Sequence, residues 1–204
     1  NEFIAAAREL CTQTGTLLIL DEIQSGYGRS GKFYAHQHVT YNGEPLKADI
    51  VSMAKGIANG FPMGAIIISP QIKPVYGMLG TTFGGNHLAC AAALSTLKVL
   101  VKEKLTENAG IIGKYLKDEL NKAAEAYIKE NGKSPFKEIR GIGLMIGIEM
   151  EPEHQGLRNQ LLFNENIFTG GAGKNVIRLL PPLCISKEEV DIFIAALKRC
   201  LKLG

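Results

Sequence analysis

The pattern of hydrophobic and polar positions predicts short strands and amphipathic helices in the first half of the chain. Three continuous apolar runs, bounded by glycine or polar residues, predict strands at 16–20, 49–54 and 64–69. The first strand is expected to be buried in a parallel sheet, because such strands are apolar on both faces. Asn86 is predicted to cap a helix that runs to about Lys102, with small residues at its start that allow close packing on a neighbour.

From about Leu105 onward, the pattern predicts alternating helices and strands. The expected order is a charged helix at 108–131, a strand at 141–150, a short helix at 156–163, a strand at 175–180 and a last helix capped by Ser186. Such alternation is typical of an α/β unit. We therefore predict two domains, at 1–104 and 105–204. Because a helical pattern is already in progress at 3–10, we also expect an upstream segment before this sequence.

Composition and charge narrow the class of protein. The 204 residues are 46% hydrophobic and 21% charged, which is the profile of a soluble globular protein. The net charge of +3 is small and the basic residues are scattered, so the sequence argues against nucleic-acid binding and membrane-surface binding. It contains neither a bilayer-spanning apolar run nor a signal-peptide pattern.

Cysteine and histidine positions give no sign of a metal site. The cysteines are at 11, 90, 184 and 200 and the histidines at 36, 38, 87 and 154, without the clustering that metal ligation needs. We expect four reduced thiols that pack as small core residues, as in a cytoplasmic protein.

Two charged residues follow predicted neighbouring strands. Asp21 follows the run 16–20, and Lys55 follows the run 49–54. Ligands of open α/β sheets bind at the edge where parallel strands have their carboxyl ends. A charge at such a strand end must be paired or solvated. An ordinary salt bridge and a ligand site are therefore both compatible with this spacing.

A pyridoxal-phosphate (PLP) site needs these residue types. Lys55 would form the Schiff base with the cofactor aldehyde, in a crowded and partly desolvated site that favours loss of its proton. Asp21 would keep the pyridine nitrogen protonated. Gln24 could donate a hydrogen bond to the ring hydroxyl oxygen, or it could be a surface amide in a loop.

Two further places could bind anions. The glycine-rich turn from Gly80 to Asn86 leads into a helix N-terminus, where backbone amides favour phosphate, and Thr81 and Thr82 add hydroxyl donors. The alternative is a tight turn. Arg178 interrupts an apolar strand and is suited to a bidentate grip on a carboxylate, unless it is an edge-strand arginine that faces water.

A competing motif is Gly26 to Gly31, which matches the G-x-G-x-x-G dinucleotide-binding fingerprint. Its context fits poorly. Five residues separate the motif from the strand, and the stretch from Lys32 to His38 does not have the small residues of the expected helix.

Taken together, five segments resemble the class III (ornithine-type) PLP-dependent aminotransferases. They occur in the family's order and at its usual spacing: LLILDEIQSGYGRSGKFYAHQH, DIVSMAKGIANGFPMGAIII, GTTFGGNHLACAAAL, IRGIGLMIGIEM and NVIRLLPPL. The resemblance implies an α/β fold. It consists of the C-terminal part of a PLP-binding large domain of fold type I, with a parallel-rich sheet, followed by a small C-terminal α/β domain.

The resemblance also implies roles for individual residues. Asp21 matches the partner of the pyridinium nitrogen and Gln24 the partner of the ring hydroxyl. Lys55 matches the Schiff-base lysine, which also moves the substrate proton. Thr82 matches a threonine that reaches the cofactor phosphate of a neighbouring subunit in a homodimer. Arg178 matches the arginine that binds the substrate carboxylate.

Within the family, the segments FPMGAIII, GIGLMIGIEM and NVIRLLPPL are most similar to enzymes that act on N-acetylornithine with 2-oxoglutarate, in arginine biosynthesis. Ornithine, succinylornithine and 4-aminobutyrate are the alternative substrates. The family chain is about twice as long, so we expect this chain alone to be inactive. A non-catalytic self-association fragment is the alternative from another class of protein.

Overall fold

The structure is a computed structural model that describes residues 2–203. The chain divides into two compact units. The first ends at Thr106 and the second begins at Glu107.

The first unit is built around a small mixed sheet. Its elements are α1 (Glu2–Thr14), β1 (Ile19–Asp21), β2 (Thr40–Tyr41), β3 (Glu44–Pro45), β4 (Ile50–Met53), β5 (Ala65–Ile68) and α2 (His87–Lys102). The strand order is β1-β4-β5, with β1 parallel to β4 and β5 antiparallel to β4. Strands β2 and β3 form a separate antiparallel hairpin. Single turns of 3-10 helix lie at Ala35–His38 and Lys55–Ala58.

The first predicted strand is shorter and more exposed than its apolar sequence suggests. It begins at Ile19 and not at Thr16, and its pairing with β4 is parallel, as expected. Leu18 is buried, whereas Leu17 is 48% exposed and Ile19 is 60% exposed. Because side chains alternate along extended chain, Leu18 reaches the core while its two neighbours face the other way. The prediction of a strand buried on both faces is therefore wrong for the described residues.

The second unit has a larger antiparallel sheet. Its elements are α3 (Leu105–Asn131, which starts in the last residues of the first unit), β6 (Phe136–Ile142), β7 (Met145–Met150), α4 (Leu157–Glu165), β8 (Gly170–Ala172), β9 (Val176–Leu179) and α5 (Lys187–Cys200). The strand order is β6-β7-β9-β8, and every pair is antiparallel. One hydrophobic cluster joins helix residues such as Leu120 and Leu197 to sheet residues such as Ile148 and Ile177.

The caps of two helices follow from single residues. The Asn86 side chain accepts a hydrogen bond from the Ala89 amide at 2.9 Å, which begins α2 where the sequence predicts it. Ser186 and Glu189 form a reciprocal capping box at the start of α5. The sequence predicts both helix starts, although the hydrogen bond that the Glu189 carboxylate accepts from the Ser186 amide is seen only in the structure.

One predicted strand is in fact two. The run 141–150 contains a tight turn at Gly143 and Leu144, so Ile142 pairs with Met145 and the chain reverses direction. Gly143 has a φ of 58°, which suits the first position of a two-residue hairpin turn. Strand β8 and the first part of β6 were not predicted. β8 is rich in glycine, and β6 alternates with charged residues, so neither forms an apolar run.

The cysteines are free thiols, but two of them are not core residues. Cys11 and Cys200 are half-buried, whereas Cys90 and Cys184 are exposed. The expectation of core packing is therefore wrong for the exposed pair. Within residues 2–203, the helices are too short or too polar to cross a membrane.

Candidate active site

Asp21 and Lys55 lie at the same edge of the sheet of the first unit. Asp21 is the last residue of β1 and pairs in register with Ser52 of the parallel strand β4. Lys55 follows Met53, the last residue of β4, after one further residue. Since parallel strands have their carboxyl ends at one edge, the carboxylate and the amine share the edge at which α/β sheets bind ligands.

The side chains of this edge are open to solvent. Asp21, Gln24 and Lys55 are all exposed. Asp21 Oδ1 accepts a hydrogen bond from the Ile23 amide at 2.9 Å, which holds the carboxylate over the turn that follows β1. The expected crowding and desolvation around Lys55 are not provided by the described residues, so that expectation is wrong for this chain by itself.

Lys55 has an unusual backbone conformation. Its φ is 50°, in the left-handed region that residues with a Cβ seldom adopt. The residue before it, Ala54, is extended, and the 3-10 turn after it ends at Asn59, which is left-handed as well. Such backbone strain costs about 1–3 kcal/mol per residue and is concentrated at functional sites.

Helix α2 supports the turn that carries Lys55. Ile57 and Ala58 of this turn are buried, and Ala92 and Ala93 of α2 pack against their cluster. The small side chains of α2 permit this close approach, in agreement with the sequence pattern. Rigid packing directly behind Lys55 therefore fixes where its side chain starts.

The glycine-rich turn before α2 is exposed and partly self-bonded. Thr81 Oγ1 accepts a hydrogen bond from the Gly84 amide at 3.2 Å, and Thr82 is exposed. Asn86 occupies the N-cap position. The turn has the hydroxyl and amide groups that a phosphate would need, at the start of a 16-residue helix.

Arg178 lies on β9 in the second unit, in a row of residues across the sheet. The row runs Arg140, Gly147, Arg178 and Gly170, one residue from each strand. A Cβ on Gly170 would lie 3.5 Å from Arg178 Nε and 3.1 Å from its backbone oxygen. The glycines on both sides therefore leave room for the guanidinium above the sheet.

The guanidinium of Arg178 has an unused donor. Its Nε is buried and, within residues 2–203, has no hydrogen-bond partner. Arg140 in the same row instead pairs with Glu138 and Glu149. Residue Arg178 also borders an open cavity of about 520 Å³ with largely apolar walls that include Phe168 and Phe193. A buried donor without an acceptor costs free energy unless a ligand supplies one, which fits a carboxylate.

Sequence reasoning missed Glu22, the residue next to Asp21. Its side chain is buried and accepts hydrogen bonds from Ser25 Oγ, the Ala35 amide and the His36 amide, and His36 Nδ1 lies 3.0 Å away. Burial alone would raise the pKa of Glu22, but the hydrogen bonds from His36, Ser25 and Ala35 lower it to about 2. The available signal was strand alternation, which turns Glu22 inward when Asp21 faces out.

The dinucleotide motif is not supported by its surroundings. The segment from Gly26 to Gly31 forms turns, and the next regular element is a four-residue 3-10 helix at Ala35–His38. A phosphate-binding fingerprint needs an α-helix that opens directly after the glycines. The structure therefore removes the nucleotide-binding alternative.

Comparison with known proteins agrees with the α/β fold. The family model described as aminotransferase class-III matches residues 1–201. The chain is 41% identical over 203 residues to the acetylornithine aminotransferase of Bacillus subtilis (strain 168), covering 98% of this chain and 49% of that protein. The chain thus spans about half the length of the curated relatives it matches.

Solved structures show the same relationship. The N-acetylornithine aminotransferase of Stenotrophomonas maltophilia K279a matches with a TM-score of 0.78 and 32% identity, over 98% of this chain and 50% of that one. An ornithine aminotransferase of Toxoplasma gondii, with PLP at partial occupancy in its active site, matches with a TM-score of 0.81 and 31% identity, over 98% and 46% of the two chains. The α/β fold of the chain matches structures of PLP-dependent aminotransferases over about half of their length. The chain belongs to the class III aminotransferases.

Proposed function

We propose that this chain is part of an aminotransferase that moves the δ-amino group of N-acetylornithine to 2-oxoglutarate. The observation that carries the proposal is the position of Asp21 and Lys55 at the carboxyl ends of two parallel, hydrogen-bonded strands. When bound, PLP supplies the electron sink that makes the carbon bearing the amino group acidic. The acidic, amide and amine side chains at this edge match the groups that such a cofactor needs.

Each side chain at the edge has a distinct task. Asp21 faces solvent at the end of β1 and would hold a proton on the pyridine nitrogen. Gln24 lies in the turn directly after it and would donate a hydrogen bond to the ring hydroxyl. Lys55 would hold the cofactor covalently and then carry a proton to and from the reacting carbon. The strained, well-supported backbone of Lys55 would orient its amine for both tasks.

Anions of cofactor and substrate would be held elsewhere in the chain. Thr81 and Thr82 would donate hydroxyl hydrogen bonds to a phosphate, with Thr82 serving the cofactor of a neighbouring subunit. Arg178 would bind a substrate carboxylate through the side of its guanidinium that lacks an acceptor. The glycines beside it leave the space that a bidentate contact requires.

The substrate is proposed from the relatives, whose identities of 36–41% belong to acetylornithine aminotransferases. Ornithine, succinylornithine and 4-aminobutyrate remain the competing donors. We further propose a homodimer with a shared active site. We also propose a cytoplasmic location, because the four thiols are unpaired. Because the relatives are twice as long, the chain alone is expected to show no turnover.

The proposal is tested by mixing the purified chain with PLP and recording visible absorbance before and after borohydride reduction. We expect an absorbance band that reduction traps as a covalent adduct, which peptide mapping locates on Lys55. The Lys55→Ala variant should give neither band nor adduct. Thr81→Ala and Thr82→Ala should weaken binding of PLP and leave the position of the adduct unchanged.

An adduct on a different lysine of the wild-type chain would overturn the assignment of Lys55. If no adduct forms, the same measurement is repeated with a separately expressed upstream half of the B. subtilis relative. Failure there as well would favour a non-catalytic self-association role. Turnover by the 204-residue chain alone would contradict the expected inactivity.

A further inference from the structure

We propose that Glu22 is a positioning residue, whose buried carboxylate fixes the turn that carries Asp21 and Gln24 and links it to the end of the strand before Lys55. This inference rests on the proposed function for its catalytic meaning. Its structural content is independent of the cofactor.

The carboxylate of Glu22 is fully used as an acceptor. Oε2 accepts from Ser25 Oγ at 2.6 Å and from the Ala35 amide at 3.1 Å. Oε1 accepts from the His36 amide at 2.8 Å and has His36 Nδ1 at 3.0 Å. An ionised carboxylate has no proton to give, so Nδ1 of His36 must carry the hydrogen. All the donors come from two segments of the chain, one on each side of the loop that contains Gly26 to Gly31.

One of these segments is the turn after β1. Ser25 belongs to it, and the Gly26 amide donates to the Glu22 carbonyl oxygen at 2.9 Å. The Glu22 amide donates to Ser52 of β4 at 3.0 Å. Both the backbone and the side chain of Glu22 are therefore fixed. Asp21 and Gln24 lie on either side of this fixed point and have exposed side chains, so the course of the turn sets where those side chains start.

The other segment leads to the lysine. Tyr34 stacks on His36 with ring centroids 5.4 Å apart, and its hydroxyl donates to the sulfur of Met53 at 3.1 Å. Met53 ends β4, two residues before Lys55. Glu22 is thus connected to Met53, at the end of β4 before Lys55, through a continuous set of contacts that includes His36 and Tyr34.

A space-filling role would be satisfied by an amide of the same size, whereas an acceptor role would not. Glu22→Gln places an NH₂ group opposite N–H or O–H donors, which leaves buried donors without acceptors. Asp49 offers a matched control in the same unit. It is also a buried carboxylate, held by the Leu18 amide, Arg8 and Gln71. Asp49→Asn makes the same chemical change away from the turn.

The test is residue-resolved hydrogen exchange of the chain without cofactor, for wild type, Glu22→Gln and Asp49→Asn. The Gly26 and Gly28 amides do not bond to the Glu22 side chain and report the shape of the loop. We expect Glu22→Gln to speed their exchange by about tenfold or more, while strand β4 stays protected. Asp49→Asn should leave both amides unchanged. His36→Leu, which removes one donor, should give the same pattern with a smaller change.

Uniform loss of protection in Glu22→Gln, no local change, or an equal change at Gly26 in Asp49→Asn would overturn the positioning role. Where the wild-type chain traps PLP on Lys55, Glu22→Gln should also reduce the trapped fraction at limiting PLP by about tenfold, and Asp49→Asn should not. Equal trapping in Glu22→Gln and wild type would contradict the proposal. Failure of the wild type to trap PLP counts against the proposed function alone, because the exchange comparison still decides the role of Glu22.

Discussion

The two units of this chain use their hydrophobic residues differently. In the second unit, one cluster gathers residues from α3, α4, α5 and three strands, and many of its side chains are almost completely buried. In the first unit, most of the buried apolar residues belong to two small clusters. Meanwhile, long apolar side chains remain exposed there, including Ile66, Ile67, Ile68, Tyr76, Leu79 and Phe83.

This difference shows that an apolar segment of sequence is not necessarily buried in the core. The three isoleucines of β5 are as hydrophobic as those of β7, yet β5 lies at an edge of its sheet within residues 2–203. The first unit also carries most of the proposed catalytic side chains, all of them exposed. The adjacent exposed isoleucines of β5 are typical of a surface that further protein covers. The relatives, which are about twice as long, have additional chain that could cover it.

The largest expected effect is a difference in the free energy of unfolding between variants of two isoleucines in strands. Ile148 in β7 is 0% exposed, whereas Ile67 in β5 is 48% exposed. Ile148→Ala should lower the free energy of unfolding by about 2–5 kcal/mol, because it leaves a cavity in a packed core. Ile67→Ala should cost less than about 1 kcal/mol, mostly through strand propensity. Chemical denaturation followed by circular dichroism measures both, and similar losses would break the comparison.

A smaller effect is expected from adding one methyl group. A Cβ on Gly113 of α3 would lie 2.1 Å from the backbone oxygen of Gly143 in the β6–β7 turn. Gly113→Ala should destabilise the second unit by about 1–3 kcal/mol, in spite of the better helix propensity of alanine. Gly80→Ala in the first unit, with open space around it, is the control and should be nearly neutral. Thermal unfolding of both variants tests this, and a stabilised Gly113→Ala would contradict the close approach.

The smallest expected effect is the loss of local stability around Glu22 at acidic pH. The pKa of Glu22 is about 2 in the fold, below its ordinary value of 4.5. The stability that Glu22 contributes is therefore complete above pH 4.5 and is lost as the pH falls toward 2. We expect the exchange protection of the Gly26 amide, corrected for intrinsic rate, to fall in that window.

The control for acid is a carboxylate of the second unit. Lys133 also lowers the pKa of Glu153, but the side chains of this pair are 61% and 57% exposed, so solvent screens their attraction. Glu22→Gln should abolish the acid dependence at Gly26, whereas Glu153→Gln should leave the acid response of the chain unchanged. A dependence that survives in Glu22→Gln would point to a different titrating group.

Much of the local structure could be predicted from short-range pattern. Helices α1, α2, α3 and α5 and strands β4, β5 and β9 lie where periodicity and capping residues indicate them. The errors have physical causes. Gly143 reverses the chain inside an apolar run, and β8 has no apolar pattern because glycine makes room there for Arg178. Periodicity reports which faces are apolar and does not report where a continuous run turns.

The residues of the candidate site also differ in whether the sequence indicated them. Asp21, Lys55 and Arg178 stood out because a charge that adjoins or interrupts an apolar run is costly unless something pairs with it. Glu22 did not stand out, because it lies beside Asp21 in a short, mostly polar stretch that follows the strand. Its importance arises from Ala35 and His36, which are 13 and 14 residues away.

The sequence by itself determined the family, most of the helices and strands, and the residue types at the sheet edge, because these depend on local pattern and on motifs in a fixed order. Only the tertiary structure decided that Lys55 is left-handed and exposed, that Arg178 Nε has no acceptor within residues 2–203, and that Glu22 ties two loop segments together. These properties depend on which distant groups approach one another. Packing and hydrogen bonding across the fold bring these distant groups together, and the local sequence around each residue does not show it.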